Sequence, residues 1–284
     1  MQPIAIVGAS APSLAAGLVD RLDGRTAVVN RASDDSEESA LRGADVTDGG
    51  VAVGTPSTRT GADTEVALGG DGEWTGRGSV EGVDEFLDAL APDHDYLVVV
   101  GESRLRVPTV LIGADAEADD VPGPVIAAAD APEGIDLDRL AADLDAEEPW
   151  ITRETLVRRV EASADADRSG AVATFTGRVR ARDAPDDDRT THLAFEKYEG
   201  VAAERMAAIE DELTEREGVF DVRMHHRTGV IEAGEDIVFV VVLAGHRGEA
   251  FRTVEDGIDR LKDEVPIFKK ETTEAEEFWV HRRD

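Results

Sequence analysis

Lysine is the scarcest charged residue of this chain, and it is unevenly placed. The sequence has four lysines, Lys197, Lys262, Lys269 and Lys270, against 26 arginines, and three of the four fall between positions 262 and 270. An ammonium can lose its proton when it is desolvated and then act as a nucleophile or acid–base group, whereas a guanidinium stays charged. The retention of lysine where arginine would supply the same charge predicts amine chemistry in this segment.

A second group of basic residues has the composition of an anion site. His246 and Arg247 separate a predicted buried strand, 237–244, from a predicted helix, 249–263. The N-terminus of a helix offers unbonded N–H groups and the positive end of the helix dipole, so it already favours anions. Adding an imidazole and a guanidinium at this point predicts a phosphate or carboxylate site.

Taken singly, these residues have ordinary structural explanations. Arg178 and Arg180 lie on one face of a predicted strand, 170–180, and a solvated sheet face accounts for both. Lys262 lies near the end of a predicted helix, where cations are generally favoured. The coincidence of these residues in a chain that otherwise avoids lysine favours a functional group.

The overall charge excludes one class of function. Lys and Arg total 30 against 62 Asp and Glu, which gives a formal net charge of -32. Self-repulsion of this size destabilises a compact chain at low salt and is screened at high salt, so we expect a protein adapted to a salty cytoplasm. An acidic interaction surface is the alternative, but the acid is spread along the whole chain. Nonspecific nucleic-acid binding is excluded because the required basic surface is lacking.

The residue types also limit the kinds of site. The chain has no cysteine, which excludes disulfides, zinc–thiolate sites and a cysteine nucleophile. We expect no metal and no resident cofactor. The first ten residues, MQPIAIVGAS, lack the features of a signal peptide, and no apolar run approaches the length of a membrane span. We therefore expect a soluble cytoplasmic protein.

The elements that must position these residues divide at a charged, proline-containing break, 145–149. Residues 1–148 alternate strand and helix patterns, which predicts an α/β domain with a mostly parallel sheet. Residues 149–284 predict an α+β domain. Its predicted strands are 170–180, 192–198, 222–231, 237–244, 267–270 and 278–281, and its predicted helices are 153–160, 202–216 and 249–263.

A glycine loop follows the first predicted strand, in the segment GASAPSLAAGL. An active phosphate loop needs Gly-x-x-x-x-Gly-Lys-Ser/Thr, in which the lysine reaches the phosphates and the hydroxyl holds magnesium. Here Gly8 is followed at the last three positions by Ser13, Leu14 and Ala15, and no lysine precedes Lys197. We therefore interpret the loop as a degenerate phosphate loop that keeps the fold and lacks the nucleotide site.

With the later runs HDYLVVVGE and PTVLI, this loop resembles the adapter protein of molybdopterin-guanine dinucleotide biosynthesis, a P-loop GTP-binding family. Val100 stands where that family has an acidic residue, so both catalytic signatures of the family are broken. The resemblance covers about the first 145 residues and implies a P-loop-like fold.

Six segments in the second half carry a more specific resemblance. They are GAVATFTGRVR, LAFEKYEGVAAERM, HHRTGVIEAGEDIVFVVV, GHRGEAF, LKDEVPIFKKE and the closing FWV. In this order and spacing they resemble the large, catalytic subunit of molybdopterin synthase. The resemblance implies an α/β hammerhead-containing fold and a homodimer within a heterotetramer. It also implies a ubiquitin-like small subunit whose C-terminal Gly-Gly thiocarboxylate delivers sulfur to cyclic pyranopterin monophosphate (precursor Z).

The resemblance also implies roles for individual residues. The motif lysines fall on Lys262 and Lys269. Lys262 would orient the thiocarboxylate and stabilise a tetrahedral oxyanion, and Lys269 would activate the acyl carbon or shuttle protons. The substrate-contacting positions fall on Arg178, Val179, Arg180, His246, Arg247, Lys270 and Glu271. His246 and Arg247 would come from across the dimer interface. The chain departs from the family at Phe268, where Trp is common, and at Val201, where Met is common.

Two other functions remain open. The chain could be a non-catalytic or GTP-binding adapter in molybdopterin-guanine dinucleotide biosynthesis, with its second half as a scaffold. Micromolar GTP affinity of residues 1–148 would favour this alternative. A P-loop kinase is disfavoured because the phosphate-loop lysine is missing.

Overall fold

The computed structural model describes residues 1–8, 10–31, 63–70, 73–80, 82–101, 104–113, 121–198, 200–273 and 277–280. The chain divides into two compact units, Met1–Trp150 and Ile151–Asp284. Within the described ranges, no helix is long and apolar enough to cross a membrane.

The first unit is built on a parallel sheet. Its elements are β1 (Gln2–Val7), α1 (Ala11–Val19), β2 (Thr26–Asn30), β3 (Glu65–Leu68), β4 (Trp74–Arg77), α2 (Val83–Leu90), β5 (Tyr96–Val100), β6 (Thr109–Ile112), β7 (Val125–Ala129) and α3 (Leu137–Asp145). The strand order is β2-β5-β1-β6-β7, and every pairing is parallel. Alternate residues of β1 and β5 pack against α1 and α3 on one face and against α2 on the other. The predicted parallel α/β fold is confirmed.

The segment 31–80 is predicted to hold little regular structure beyond short strands. Strands β3 and β4 pair as an antiparallel hairpin that forms a separate two-stranded sheet. Much of the remaining segment, including residues 32–62, lies outside the described residues.

The second unit combines helices with two antiparallel sheets. Its elements are α4 (Arg153–Glu161), β8 (Ala171–Arg178), β9 (Thr190–Lys197), α5 (Val201–Thr214), β10 (Val219–His226), β11 (Gly229–Glu232), β12 (Asp236–Ala244), α6 (Arg247–Glu264), β13 (Ile267–Thr273) and β14 (Glu277–Val280). One sheet has the order β10-β12-β8, and the other has the order β11-β9-β13-β14. The predicted α+β character of this half is confirmed.

Strand β12 lies at the centre of the three-stranded sheet and is buried on both faces. Phe239, Val241 and Leu243 pack against apolar residues of α4. The alternate residues pack against α5 and α6. This double burial explains why its sequence is continuously apolar rather than alternating.

The prediction of a single strand over residues 222–231 is wrong. The structure has two strands there, β10 and β11, and they belong to different sheets. Gly229 has a φ of 81°, in the left-handed region that favours glycine, and it begins the second strand. The backbone N–H of Arg227 donates to the carbonyl of Ile237 at 2.8 Å, which holds the chain at the bend. The turn therefore redirects the chain from one sheet to the other.

Helix α6 packs closely against the neighbouring strands and helix α5 of its own unit. A Cβ added at Gly257 would lie 3.0 Å from both Met224 Cε and Val240 Cγ1, so glycine here permits close approach of the helix to the sheet. Arg260 donates to Glu212 of α5 at 2.6 Å and to Glu264 at 2.8 Å. These contacts hold the C-terminal half of α6 against α5 and the sheet.

Candidate active site

The N-terminus of α6 presents two exposed basic residues. His246 is the N-cap, in extended conformation, and its side chain makes no capping hydrogen bond to the first turn. Arg247 is the first helical residue, so the helix begins two residues earlier than predicted. Because the imidazole does not cap the helix, the dipole end and both basic side chains remain available for an anion.

Close backbone packing positions this helix start. A Cβ at Gly170 would lie 2.7 Å from the carbonyl oxygen of Gly245, so a larger residue would displace the backbone. The N–H of Gly245 donates to the carbonyl of Gly218 at 2.9 Å. Gly218 itself has a φ of 81°. These glycines let three backbone segments meet directly before His246.

The opposite end of α6 leads into the predicted catalytic lysines. Lys262 lies in the last helical turn and is exposed. Val265 and Pro266 then connect the helix to β13, on which Lys269 is half-buried. Lys269 pairs with Phe195 of β9 on one side and with Val280 of β14 on the other. The second predicted lysine is thus held on an internal strand of its sheet.

Lys269 and Lys270 lie on opposite faces of this sheet. Side chains directly opposite in an antiparallel pair share a face. Lys269 is opposite Phe195, which is buried in the core of the unit, whereas Lys270 is opposite Ala194. Lys269 therefore faces the interior together with Phe195, and Lys270 faces outward beside the exposed Phe268.

Glu271 returns to the inner face, two residues beyond Lys269. Its carboxylate accepts a hydrogen bond of 2.6 Å from the hydroxyl of Thr190, a buried residue at the start of β9. The structure thus places a fixed acid and a lysine side by side on one strand face.

The predicted arginine segment divides into three environments. Arg178 ends β8, pairs with Asp236 at 3.1 Å and donates to the carbonyl of Gly234, so it closes the turn before β12. Val179 is buried in the core. Arg180 lies beyond the strand, strongly exposed, and pairs with Asp183 at 3.0 Å. Arg180 can bind a ligand by giving up its solvent-exposed ion pair with Asp183, whereas Arg178 holds the turn before β12 in place.

The two basic groups do not meet within one chain. They lie at the two ends of α6, which has 18 residues and therefore a length of about 27 Å. His246 and Arg247 occupy one end and Lys262 occupies the other. That His246 and Arg247 act across a dimer interface stays a prediction.

Sequence reasoning did not assign a group of basic residues around His225. Burial, followed by the charges of Lys197, Arg227, His226 and Arg159, lowers the pKa of His225 to about 3. Arg227 also lies over the ring of Phe239, 5.5 Å from its centroid. The run His225-His226-Arg227 and the isolated Lys197 were the available signals, but nothing in the sequence shows that two separate strands bring them together.

The degenerate phosphate loop has a structural explanation in the first unit. Gly8 has a φ of 128°, and a Cβ there would lie 1.8 Å from the carbonyl oxygen of Ile112. Leu14 and Ala15, at the lysine and hydroxyl positions of an active loop, are buried in the core. The glycine and the apolar residues therefore serve packing.

The first turn of α1 also offers few donors to a phosphate. The N–H groups of Ser13 and Leu14 donate to the backbone carbonyl of Ser10. The N–H of Ala11 donates to the backbone carbonyl of Gly8, and Pro12 has no N–H. A phosphate-binding helix needs such groups to point at its ligand.

The described part of the chain contains no group of three or more His, Cys, Asp or Glu residues that could hold a metal ion.

Comparisons with known proteins bear on both halves. The model of the MoaE protein family matches residues 147–264. A protein of Haloferax volcanii named probable molybdopterin synthase is 49% identical over 284 residues, which cover 100% of both chains. The molybdopterin synthase catalytic subunit of Ralstonia nicotianae is 40% identical over 114 residues, which cover 40% of this chain and 64% of that protein.

Among solved structures, the crystal structure of molybdopterin synthase from Staphylococcus aureus has 32% sequence identity and a TM-score of 0.42, and it covers 48% of this chain and 93% of that one. The Haloferax likeness extends over both units, and the MoaE match includes His246, Arg247 and Lys262. The chain therefore belongs to the molybdopterin synthase family.

Proposed function

We propose that this chain transfers sulfur from a thiocarboxylated ubiquitin-like small subunit to cyclic pyranopterin monophosphate and so forms the dithiolene of molybdopterin. The observation that carries the proposal is the placement of Lys262 and Lys269. The structure sets one amine at the end of α6 and the other on the inner face of β13, joined by a short connection. The absence of cysteine fits, because the sulfur arrives on the partner.

The chemistry assigns different tasks to the two lysines. Once the sulfur has bonded to the pterin, water must add to the acyl carbon of the small subunit and form a tetrahedral oxyanion. The carbon–sulfur bond then breaks, so the sulfur stays on the pterin and the small subunit leaves as a carboxylate. A fixed ammonium stabilises the charge that develops there, and we assign this task to Lys262. Lys269 lies beside Phe195 and Ile267 on the inner face, and we assign it to activation of the acyl carbon or to proton transfer.

The anionic substrate needs its own binding groups. Arg180, His246 and Arg247 are exposed basic residues suited to hold the phosphate and pterin. Glu271 shares the inner face of β13 with Lys269, whereas Lys270 lies on the opposite face of that strand. The length of α6 supports a homodimer in which His246 and Arg247 serve the site of the other copy. We further propose that the dimer binds one small subunit at each end and works in the cytoplasm.

We propose that residues 1–148 form a degenerate adapter-like domain and residues 149–284 the catalytic domain. The buried Leu14 and Ala15 and the internally bonded N–H groups of α1 support a structural role for the glycine loop. They disfavour the alternative function as a GTP-binding adapter.

Reconstitution at high salt tests the proposed function. The full chain, the thiocarboxylated small subunit and precursor Z are combined, and molybdopterin is quantified over time. Lys262→Ala should lower the single-turnover rate by about 100- to 1,000-fold, which is typical for loss of one oxyanion-stabilising group. Lys262→Arg should recover part of the rate, because it keeps the charge.

Arg216→Ala is a suitable control, since Arg216 pairs with Asp256 at the far end of α5 and the variant loses the same charge. The assignment fails if Lys262→Ala and Arg216→Ala form product at the same rate as the wild type. The function itself fails if the wild-type chain forms no molybdopterin.

A further inference from the structure

The remaining lysine of the chain, Lys197, lies in the same corner of the fold as Lys269. Lys197 is the last residue of β9 and pairs with Ile267, the first residue of β13. Lys269 pairs with Phe195 in the same ladder. The two lysines are therefore diagonal neighbours on one sheet face, with Cβ atoms about 7–8 Å apart.

This face is the inner one. Phe195, which is opposite Lys269 and two residues before Lys197 on β9, is buried. It contacts the ring of His226 edge-on, with centroids 4.9 Å apart. Lys197 is half-buried, and its charge helps to lower the pKa of the half-buried His225, which precedes His226. Lys197 thus extends toward the interior, as Lys269 does, and away from the outer face that carries Phe268 and Lys270.

The connection from α6 brings Lys262 to the same corner. Ile267, the strand partner of Lys197, follows Lys262 by five residues, across Val265 and Pro266. Lys197 and Lys269 therefore share one face at the start of β13, and Lys262 precedes this strand by five residues. Two ammonium groups on one half-buried face can donate charge-assisted hydrogen bonds to the same anionic group.

We propose that Lys197 is a further anion-binding residue of this site, which holds an anionic group of the reactants beside Lys269. This inference rests on the proposed function, since that function supplies two anions of the required kind. One is the phosphate of the pterin precursor and the other is the C-terminal thiocarboxylate of the small subunit. Both are recognised by the same ammonium chemistry, so kinetics must decide between them.

The test measures KM for each reactant separately with the full chain. Lys197→Met should raise KM for one of the two by about 10- to 100-fold, as expected for loss of one charge-assisted hydrogen bond, with kcat changed much less. Lys197→Arg should restore most of the affinity because it keeps the charge. A raised KM for precursor Z identifies the phosphate, and a raised KM for the small subunit identifies the thiocarboxylate.

Arg216→Met is the matched control, because it removes one positive charge about 20 Å away, beyond the far end of α5. Lys197→Gln provides a second variant if the methionine variant folds poorly, as judged by circular dichroism. The proposal is overturned if both KM values of Lys197→Met and Lys197→Gln match the wild type, or if Arg216→Met raises KM equally. These results would leave an active wild type, whereas failure of the proposed function would appear as a wild type that forms no product.

Discussion

Two consecutive lysines, Lys269 and Lys270, have different surroundings because strand side chains alternate. The sequence shows that both are unusual, and the predicted roles already separated a catalytic Lys269 from a substrate-binding Lys270. The register of β13 against β9 gives the physical basis, since Lys269 shares its face with the buried Phe195. Which face is internal depends on pairing partners far away in sequence, so composition alone could not decide it.

The pH dependence of stability should report the environment of the half-buried His225. Its pKa is lowered to about 3 by burial and by nearby charges, against an ordinary value of 6.5. The native state therefore binds fewer protons than the unfolded state between these values. Neutral His225 contributes fully to the free energy of unfolding above about pH 6.5. This contribution is lost as the pH falls toward 3, by up to about 1.4 kcal/mol per pH unit.

Chemical unfolding at constant high salt between pH 5 and 7 checks this prediction, because most carboxylates stay ionised there. His225→Phe, which places a ring opposite Phe239, should flatten the wild-type slope. His192→Phe, at a half-buried site on β9, serves as the control and should keep the wild-type slope of stability against pH. Equal slopes in the wild type and His225→Phe would contradict the prediction.

At the scale of elements, the periodic patterns located the helices well and the sheet partners poorly. The predicted helix 249–263 is observed as Arg247–Glu264, and its extra first turn includes Arg247 because the N-cap is His246. The strand predicted over 222–231 is two strands because Gly229 takes a left-handed conformation. An apolar pattern indicates that a strand is buried, but it does not indicate to which sheet the strand belongs.

Helix α6 should tolerate no large residue at position 257. Gly257 lies against Met224 and Val240, each 3.0 Å from the position of an added Cβ. Gly257→Leu should therefore lower the free energy of unfolding by about 1–3 kcal/mol, since overpacking forces neighbouring side chains from their preferred positions. Because α6 also carries His246 and Lys262 at its ends, activity should fall with stability.

Denaturant unfolding with circular dichroism measures this effect. Glu255→Leu, an exposed site on the same helix, adds a comparable side chain without the contact and should change stability little. If Gly257→Leu is as stable as Glu255→Leu, the close approach of α6 to the sheet is not tight enough to matter.

At the scale of the whole molecule, the two-part organisation followed from the charged break at 145–149 and from the change between strand–helix alternation and α+β patterning. The structure divides at Trp150. The functions predicted for the two parts came from their resemblance to known families. A degenerate phosphate loop indicates which chemistry a domain lacks, but it does not indicate what the domain does.

The length of α6 predicts that defective chains can rescue one another. Lys262→Ala and Arg247→Ala damage opposite ends of a helix about 27 Å long. In a homodimer that shares sites, a mixed pair contains one intact site, so a 1:1 mixture with random pairing should regain about a quarter of wild-type activity. The measurement is molybdopterin formation after the two variants are unfolded and refolded together.

Lys262→Ala mixed with Lys269→Ala is the control, because both changes affect the same site and should give no recovery. A lack of recovery for the first mixture, with exchange verified by differently tagged chains, would show that each site is complete within one chain.

The separation of the two cationic ends also has a genetic consequence. In a cell that carries two different defective alleles, the phenotype depends on where along α6 each change falls. Alleles that alter opposite ends should complement, and alleles that alter the same end should not. A complementation map made without any structural data would then assign each allele to one of the two ends of this helix.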